Sequence, residues 1–336
     1  MPLPPIVFDP PFNLTRASHV VLTVSDLAAS RAFYTEVAGL VVSAEADGVL
    51  YLRGVEEAAH HSLVLRQAAG IPSCERIGMR VVNEDHLARA HDVLAAAGCA
   101  VAWAEVPFQG RTLHVTDPVG TPIELCARME AMPRMITRFS THKGGAAGRL
   151  DHTQVLTPEV PMACAFYMSL GFRLAEYISP AEEGPLLGAF LQRKGNPHDI
   201  VFFNGAGPRL HHFAFTTPDG ASLLRACDVA GELGHGRGVE RGPGRHGPGH
   251  ALFVYLRDPD GHRVELFNTH YQVMDLENEP VRWDPADPNV SFPWGLPAQR
   301  RWFEQATPFV GVAAAEPAIR PNPMNLERYL AALAET

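Results

Sequence analysis

The chain repeats itself, and that limits what it can fold into more than any other feature. "SHVVLTVSDLAASRAFYTEVAGLVV" (18–42) resembles "DHTQVLTPEVPMACAFYMSLGFRLA" (151–175). "RIGMRVVNEDHLARAHDVLAAAG" (76–98) resembles "HFAFTTPDGASLLRACDVAGELG" (212–234), and "VTDPVGTPIELC" (115–126) resembles "LRDPDGHRVELF" (256–267). The matched positions His19/His152, Arg76/His212 and Glu124/Glu265 stand 133, 136 and 141 residues apart, in order. Similarity that keeps both order and spacing marks a duplicated chain, in which each copy buries its apolar face against its neighbours.

Each half divides again. Strand-like runs such as "HVVLTV", "LYLRG" and "HSLVLRQ" alternate with one helical pattern per ~55 residues. This reads as an α+β chain of four βαβββ modules, two per half. Each pair is expected to curl into a half-open barrel around a cavity. Asp-Pro-(Val/Asp)-Gly precedes the last strand of each half, where Pro presets φ and Gly admits a positive φ. The expected organisation is an N-terminal arm (1–14), a first domain (15–130), a second domain (148–270) and a tail (271–336). The tail is rich in Pro, Asp and Trp and shows little periodicity before "NLERYLAALAET", which reads as helix. It is a packing segment, a lid over a cavity, or an oligomer contact.

Comparing the halves locates a site. The second half places His152, His212 and Glu265 at the ends of matched strands; the first has His19, Arg76 and Glu124 there. Two imidazoles and a carboxylate form a facial triad that holds a divalent metal and leaves coordination positions open. A guanidinium has only donors and cannot ligate. The first half therefore has the scaffold and the second the site. In "RLHHFAF", alternation puts His212 with Leu210 and Ala214 toward the cavity, and His211 with Phe213 and Phe215 on the other face. The competing reading of Glu265 is a salt bridge to Arg263.

Further polar residues surround this set. His198 precedes His212 in "RKGNPHDIVFFNGAGPRLHH", and Arg241, His246 and Tyr255 precede Glu265. Eight glycines fall within 231–250, but without G-x-x-x-x-G-K-[ST] or a surrounding Rossmann unit they do not make a phosphate loop. They suit a loop bending tightly over a site.

Composition excludes other classes. The formal charge is −9 and no run of Lys or Arg forms a basic stripe, so nucleic acid and anionic membranes are not expected partners. No apolar run approaches the ~18 residues of a membrane span. The opening "MPLPPIVFDPPFNL" lacks the pattern of a signal peptide. Five scattered cysteines without a CxxC read as reduced thiols, so the expected location is the cytoplasm.

At "LDHTQVLTPEVP", "RKGNPHD", "NGAGPRLHHFAF", "ERGPGRHG" and "DPDGHRVELF" the chain resembles the type I extradiol ring-cleaving dioxygenases of the vicinal oxygen chelate superfamily. The resemblance covers about residues 15–295 and lies nearest the catechol 2,3-dioxygenase and homoprotocatechuate 2,3-dioxygenase branch. It implies that His152, His212 and Glu265 bind Fe(II), or Mn(II) as in a minority of relatives. It implies His198 as the acid–base residue beside the dioxygen site, His246 and Tyr255 as partners of the substrate oxygens, and Arg241 at the pocket border. The expected reaction is extradiol cleavage of a catecholic ring by dioxygen to a muconic semialdehyde-type acid, in aromatic catabolism. The family also implies a homo-oligomer, a dimer or tetramer. Three substrate-side positions depart from the branch: Gln154 replaces an asparagine, Phe190 a tryptophan, and an arginine that helps bind a substrate carboxylate is missing around Ser291. These changes bear on the substrate's side chain, not on the metal. The alternatives on the same scaffold are a glyoxalase-like or thiol-transferase metalloenzyme, which tends to draw four ligands from paired modules, and a binding protein without catalysis.

Overall fold

The computed structural model describes residues 3–275, 277–320 and 322–334. Two sheets carry the chain. The first contains β1 (Leu14–Val24), β2 (Val41–Ala46), β3 (Val49–Arg53), β4 (Leu63–Gln67), β5 (Cys74–Val81), β6 (Ala100–Val106), β7 (Gly110–Thr116) and β8 (Pro122–Cys126). The second contains β9 (Leu150–Thr157), β10 (Arg173–Ile178), β11 (Gly188–Gln192), β12 (Ile200–Asn204), β13 (Arg209–Thr216), β14 (Val239–Arg245), β15 (Leu252–Arg257) and β16 (Arg263–Asn268). The orders are β2-β3-β4-β1-β5-β8-β7-β6 and β14-β15-β16-β13-β9-β12-β11-β10, the same sequence of matched strands read from opposite edges. Each sheet is two βαβββ modules joined along their first strands, β1 to β5 and β9 to β13.

Helices α1 (Leu27–Ala32), α2 (Glu84–Ala96), α3 (Val160–Ser169) and α4 (Gly220–Glu232) follow the first strand of each module. The second-module helices have the same local cause. Asn83 caps α2 by accepting from the His86 N–H, and Asp219 caps α4 by accepting from the Ser222 N–H. Both bury residues three and four apart, Leu87, Ala90 and Leu94 in α2 and Leu223, Ala226 and Ala230 in α4.

The two domains hold each other by a reciprocal tie. In the first Asp-Pro turn, Asp117 Oδ1 accepts from the N–H groups of Val119 (3.1 Å) and Thr121 (2.7 Å). Its other oxygen accepts from the Tyr167 hydroxyl of the second domain at 3.0 Å. In the second turn, Asp258 Oδ1 accepts from Asp260 (3.0 Å) and His262 (2.8 Å), and Oδ2 from the Tyr34 hydroxyl of the first domain at 2.9 Å. All four side chains are buried. Gly120 and Gly261 turn the chain at φ +87° and +86°, a conformation glycine adopts without strain.

The tail is not a separate body. Val281–Trp283 adds a parallel strand beside β10, and Thr307–Pro308 pairs with β13. The C-terminal helix is Leu326–Ala334. Among the described residues no helix is long and apolar enough to cross a membrane.

Burial pushes the Asp117 carboxyl up to about 6, against which the Thr121 and Tyr167 hydrogen bonds favour the charged form. A raised folded value means that Asp117 stabilises the fold less as pH rises through about 6. Tyr167→Phe removes a donor that the ionised form needs. It should cost about 1–3 kcal/mol, more at pH 8 than at pH 5, as read from urea denaturation at the two pH values.

Candidate metal centre

Strands β9, β13 and β16 lie side by side, and their register assembles the triad. Ala214 is opposite His152 on one side and Glu265 on the other. His212 is opposite Gln154. His152 Nε2 and His212 Nε2 each lie 3.2 Å from the same Glu265 oxygen, Oε2. One ligand-type atom from each of the three residues lies within 4.8 Å of the others, and all three side chains are buried.

The orientation of both imidazoles is set from behind. His152 Nδ1 meets Asp151 Oδ2 at 3.1 Å, and Asp151 is held by the Asn196 amide. His212 Nδ1 lies 2.8 Å from His211 Nδ1, and His211 Nε2 in turn donates to the Trp302 carbonyl at 2.7 Å. With Nδ1 engaged, Nε2 is left facing Glu265 in each ring. His212 Nε2 is buried without a hydrogen-bond partner, an exception among buried polar atoms that calls for an ion or water. The donor set, two imidazoles and a carboxylate, fits Fe(II) or Mn(II) and leaves coordination positions free.

Charge follows geometry. Burial alone would raise Glu265, but the adjacent imidazoles of His152, His212 and His246 hold it well below the usual carboxylate range. Burial would lower His152, and Asp151 and Glu265 outweigh it, so His152 is raised. Burial dominates at His212 and His246, each lowered to about 4. It also sets His198 well below its ordinary value, helped by His152 and His270, and Tyr255 well above.

His246, Tyr255, Arg241, His198, Phe190 and Gln154 lie around the triad. His246 Nε2 lies 2.9 Å from the Tyr255 hydroxyl and 3.5 Å from Glu265 Oε1. The Arg241 guanidinium stacks over the Trp302 ring at 4.3 Å and approaches Tyr255 at 5.8 Å. His198 packs edge-on against His152 at 4.2 Å, with Phe190 beyond it at 5.3 Å. Gln154 is buried one strand from His212. The Ser291 side chain lies outside the described residues. The alternative partner for Glu265 is otherwise occupied: Arg263 Nε pairs with Glu240 at 2.6 Å.

His211 differs from simple alternation. A bulge between Leu210 and His212 interrupts the register with β9. His211 is fully buried beside its neighbour, ring centroids 5.1 Å apart, and supports the ligand directly.

The structure adds residues that sequence reading missed. Asp151 precedes the first ligand, and its counterpart Ser18 sits on His19 Nδ1 at 3.1 Å; comparing the halves one position earlier finds it. Glu176 in β10 accepts from the Gly249 N–H (2.8 Å), the Tyr271 hydroxyl (2.6 Å) and Trp283 Nε1 (2.6 Å), fastening the glycine-rich loop and the tail near the site. His270 lies just past β16, stacked on Phe267 at 4.3 Å and 4.7 Å from His198. It follows the last repeated strand, so no comparison between halves reveals it.

The first domain shows the same scaffold closed on itself. His114 stands opposite Glu124 as Tyr255 stands opposite Glu265. His61 precedes β4 as His198 precedes β12. Glu124 is taken up by His19 (2.8 Å), His114 (3.0 Å) and the Gln109 amide. Gly78 lies where Ala214 does, and the His19 ring occupies the space a Cβ there would need. Among the described residues, no metal-type group forms in this domain.

The sequence profile of the Glyoxalase/Bleomycin resistance protein/Dioxygenase superfamily matches residues 16–125 and 149–266. The chain is 30% identical to the metapyrocatechase of Pseudomonas sp. (strain CF600), over 81% of this chain and 91% of that one. It is 28% identical to the manganese-dependent 2,3-dihydroxybiphenyl 1,2-dioxygenase of Geobacillus genomosp. 3, over 86% and 96%. Among solved structures, a variant of the homoprotocatechuate 2,3-dioxygenase of B. fuscum superposes with TM-score 0.89 and 33% identity, covering 94% of this chain and 90% of that one.

In metal-free protein, histidine NMR should show His212 and His246 neutral down to pH 5 and titrating near about 4. The unfolded imidazole takes its proton near ~6.5. Between these values the unfolded state therefore binds more protons, and both residues weaken the fold as pH falls. Titration of either near 6.5 would show that its ring is solvated rather than buried.

Proposed function

The chain belongs to the Glyoxalase/Bleomycin resistance protein/Dioxygenase superfamily, and on that footing we propose that His152, His212 and Glu265 hold the Fe(II) with which it cleaves a catecholic ring beside the diol. The protein is an extradiol dioxygenase by kinship with metapyrocatechase and biphenyl-2,3-diol 1,2-dioxygenase. The observation that carries the site is the pair of Nε2 atoms converging on one carboxylate oxygen at 3.2 Å. A bound Fe(II), or Mn(II) in its place, supplies the electron path between ring and dioxygen that a triplet oxidant otherwise lacks.

The residues around the triad divide the work by side. Tyr255 and His246, hydrogen-bonded to each other at 2.9 Å, present a hydroxyl and an imidazole to the substrate's ring oxygens. Arg241, buried and stacked on Trp302, adds fixed positive charge that favours a catecholate over a catechol. His198 stands on the other side of His152 with no hydrogen bond to its Nδ1. Its lowered basicity keeps it neutral near pH 7, so it is ready to take a proton from the substrate and return it during oxygen–oxygen cleavage. Glu176 fastens Gly249 and Trp283, which holds the glycine-rich loop and the tail in place beside the site.

Phe190 packs with Val201, Ile178 and Val290 in one apolar cluster, which suits a plain, alkyl- or aryl-substituted catechol better than an arylacetate. The first domain acts as a scaffold and the second as the catalytic domain. Five free cysteines support a reducing, cytoplasmic setting, and we read the active form as a homodimer or homotetramer.

Aerobic assay of Fe(II)-loaded protein against a catechol panel should give a yellow product with one dioxygen consumed per substrate; no turnover of any member would overturn the reading. His212→Ala, loaded with Fe(II), should lose the Fe(II). His211→Ala should keep it with affinity reduced about 10–100-fold, because it removes only the group behind the ligand. Metal analysis of both variants checks this. His198→Phe should retain metal and lose about 10²–10⁴ in rate, and full activity there would remove His198 from the proton path.

A further inference from the structure

We propose that His152, His198 and His270 form a second metal seat, built of three imidazoles, which shares His152 with the triad and takes a borderline-soft ion such as Zn(II). One ring nitrogen from each of these residues lies within 4.8 Å of the others. The ring centroids are 4.2 Å (His152–His198), 4.7 Å (His198–His270) and 5.7 Å (His152–His270) apart. Three imidazoles on one tetrahedral ion, with bonds of about 2.0–2.1 Å, hold their centroids about 5 Å apart. Small ring rotations bring the nitrogens to bonding distance.

Neither His198 nor His270 makes a side-chain hydrogen bond among the described residues, and Nδ1 of each is buried without a hydrogen-bond partner. Buried imidazoles normally find one. Asp151 Oδ2 lies 3.1 Å from His152 Nδ1 and 3.6 Å from His270 Nδ1. A carboxylate behind the ring is the usual way a ligating histidine is oriented. Space between the rings is kept open by Gly249 at φ +67°, where a Cβ would stand 3.1 Å from His270 Nε2 and 3.3 Å from His198 Cε1. A cavity of about 610 Å³ has His270, Asp151 and Asn196 in its lining and so reaches one edge of the group.

The donor sets then sort ions. The triad offers two nitrogens and a carboxylate, and suits Fe(II) or Mn(II). Three neutral nitrogens without a carboxylate suit Zn(II) or Cu(II) better. Because His152 serves both, the two seats are not filled together. An ion in the second seat withdraws His152 from the triad and occupies His198, so it acts as an inhibitor of the first. The seat does not depend on the identity of the organic substrate.

The test needs no catechol. Metal-free wild type, His212→Ala, His270→Ala and the double variant are dialysed against Zn(II) and titrated with Co(II), whose visible bands report tetrahedral coordination. His212→Ala, with its triad broken, should keep about one Zn(II) per chain and show those bands. Adding His270→Ala should weaken binding at least about tenfold and abolish them. His270→Gln, which keeps size and polarity, should behave as His270→Ala, and melting curves exclude misfolding as the cause. Wild type should bind no more than one ion. Absence of Zn(II) on His212→Ala, indifference to His270→Ala, or two ions on one wild-type chain would each overturn the proposal and leave the extradiol reading standing.

Discussion

A carboxylate buried among the central strands of the second sheet is the constraint on which the second domain is built. Glu265 is almost wholly removed from water, and an ionised carboxylate there is costly unless charge or hydrogen bonds surround it. The protein answers with three imidazoles around it and further polar residues behind them. Asp151 supports His152, Asn196 and Lys194 support Asp151, and His211 supports His212. Asp151, Asn196 and His211 are themselves buried, so each needs a partner in turn. The strand order β9-β13-β16 permits this, because it sets the ligands on adjacent strands with only Ala214 between two of them.

The first domain serves as a comparison inside the same molecule. It keeps the strand order, a carboxylate at the same register position, and histidines at three of the surrounding positions. What changes is small: Arg76 where His212 stands, Gly78 where Ala214 stands, and Gln109 reaching Glu124. With no side chain at Gly78, His19 settles onto Glu124 and the polar groups satisfy one another. Burial of the carboxylate alone therefore does not make a metal site. The second domain adds a nitrogen facing the carboxylate, His212 Nε2, that makes no hydrogen bond among the described residues.

Most of this was legible wherever the duplication could be used. Paired segments located the modules, the turns, the triad and the departure at Arg76, because a repeat turns one sequence into its own comparison. The second ring of residues around the triad rested on resemblance, and the structure brings them together. What stayed hidden has no counterpart in the other half or breaks a period. The bulge at Leu210–His212 defeats strict alternation at His211. His270 and Tyr271 follow the last repeated strand. Glu176 reads as an ordinary polar residue in a short strand, and only the fold supplies its three donors.

The crossed Tyr–Asp ties give the inert domain a meaning beyond scaffolding. Each tyrosine completes the turn of the other half, and that turn leads into the strand carrying the site glutamate. Separating the halves would leave Asp117 and Asp258 each without one of its donors. A catalytic half cut free would expose the underside of its own Asp-Pro turn just ahead of Glu265. Residues more than a hundred positions away, outside the site, therefore help hold the turn ahead of Glu265. The two halves stand as one object, and the first stays needed without a site of its own.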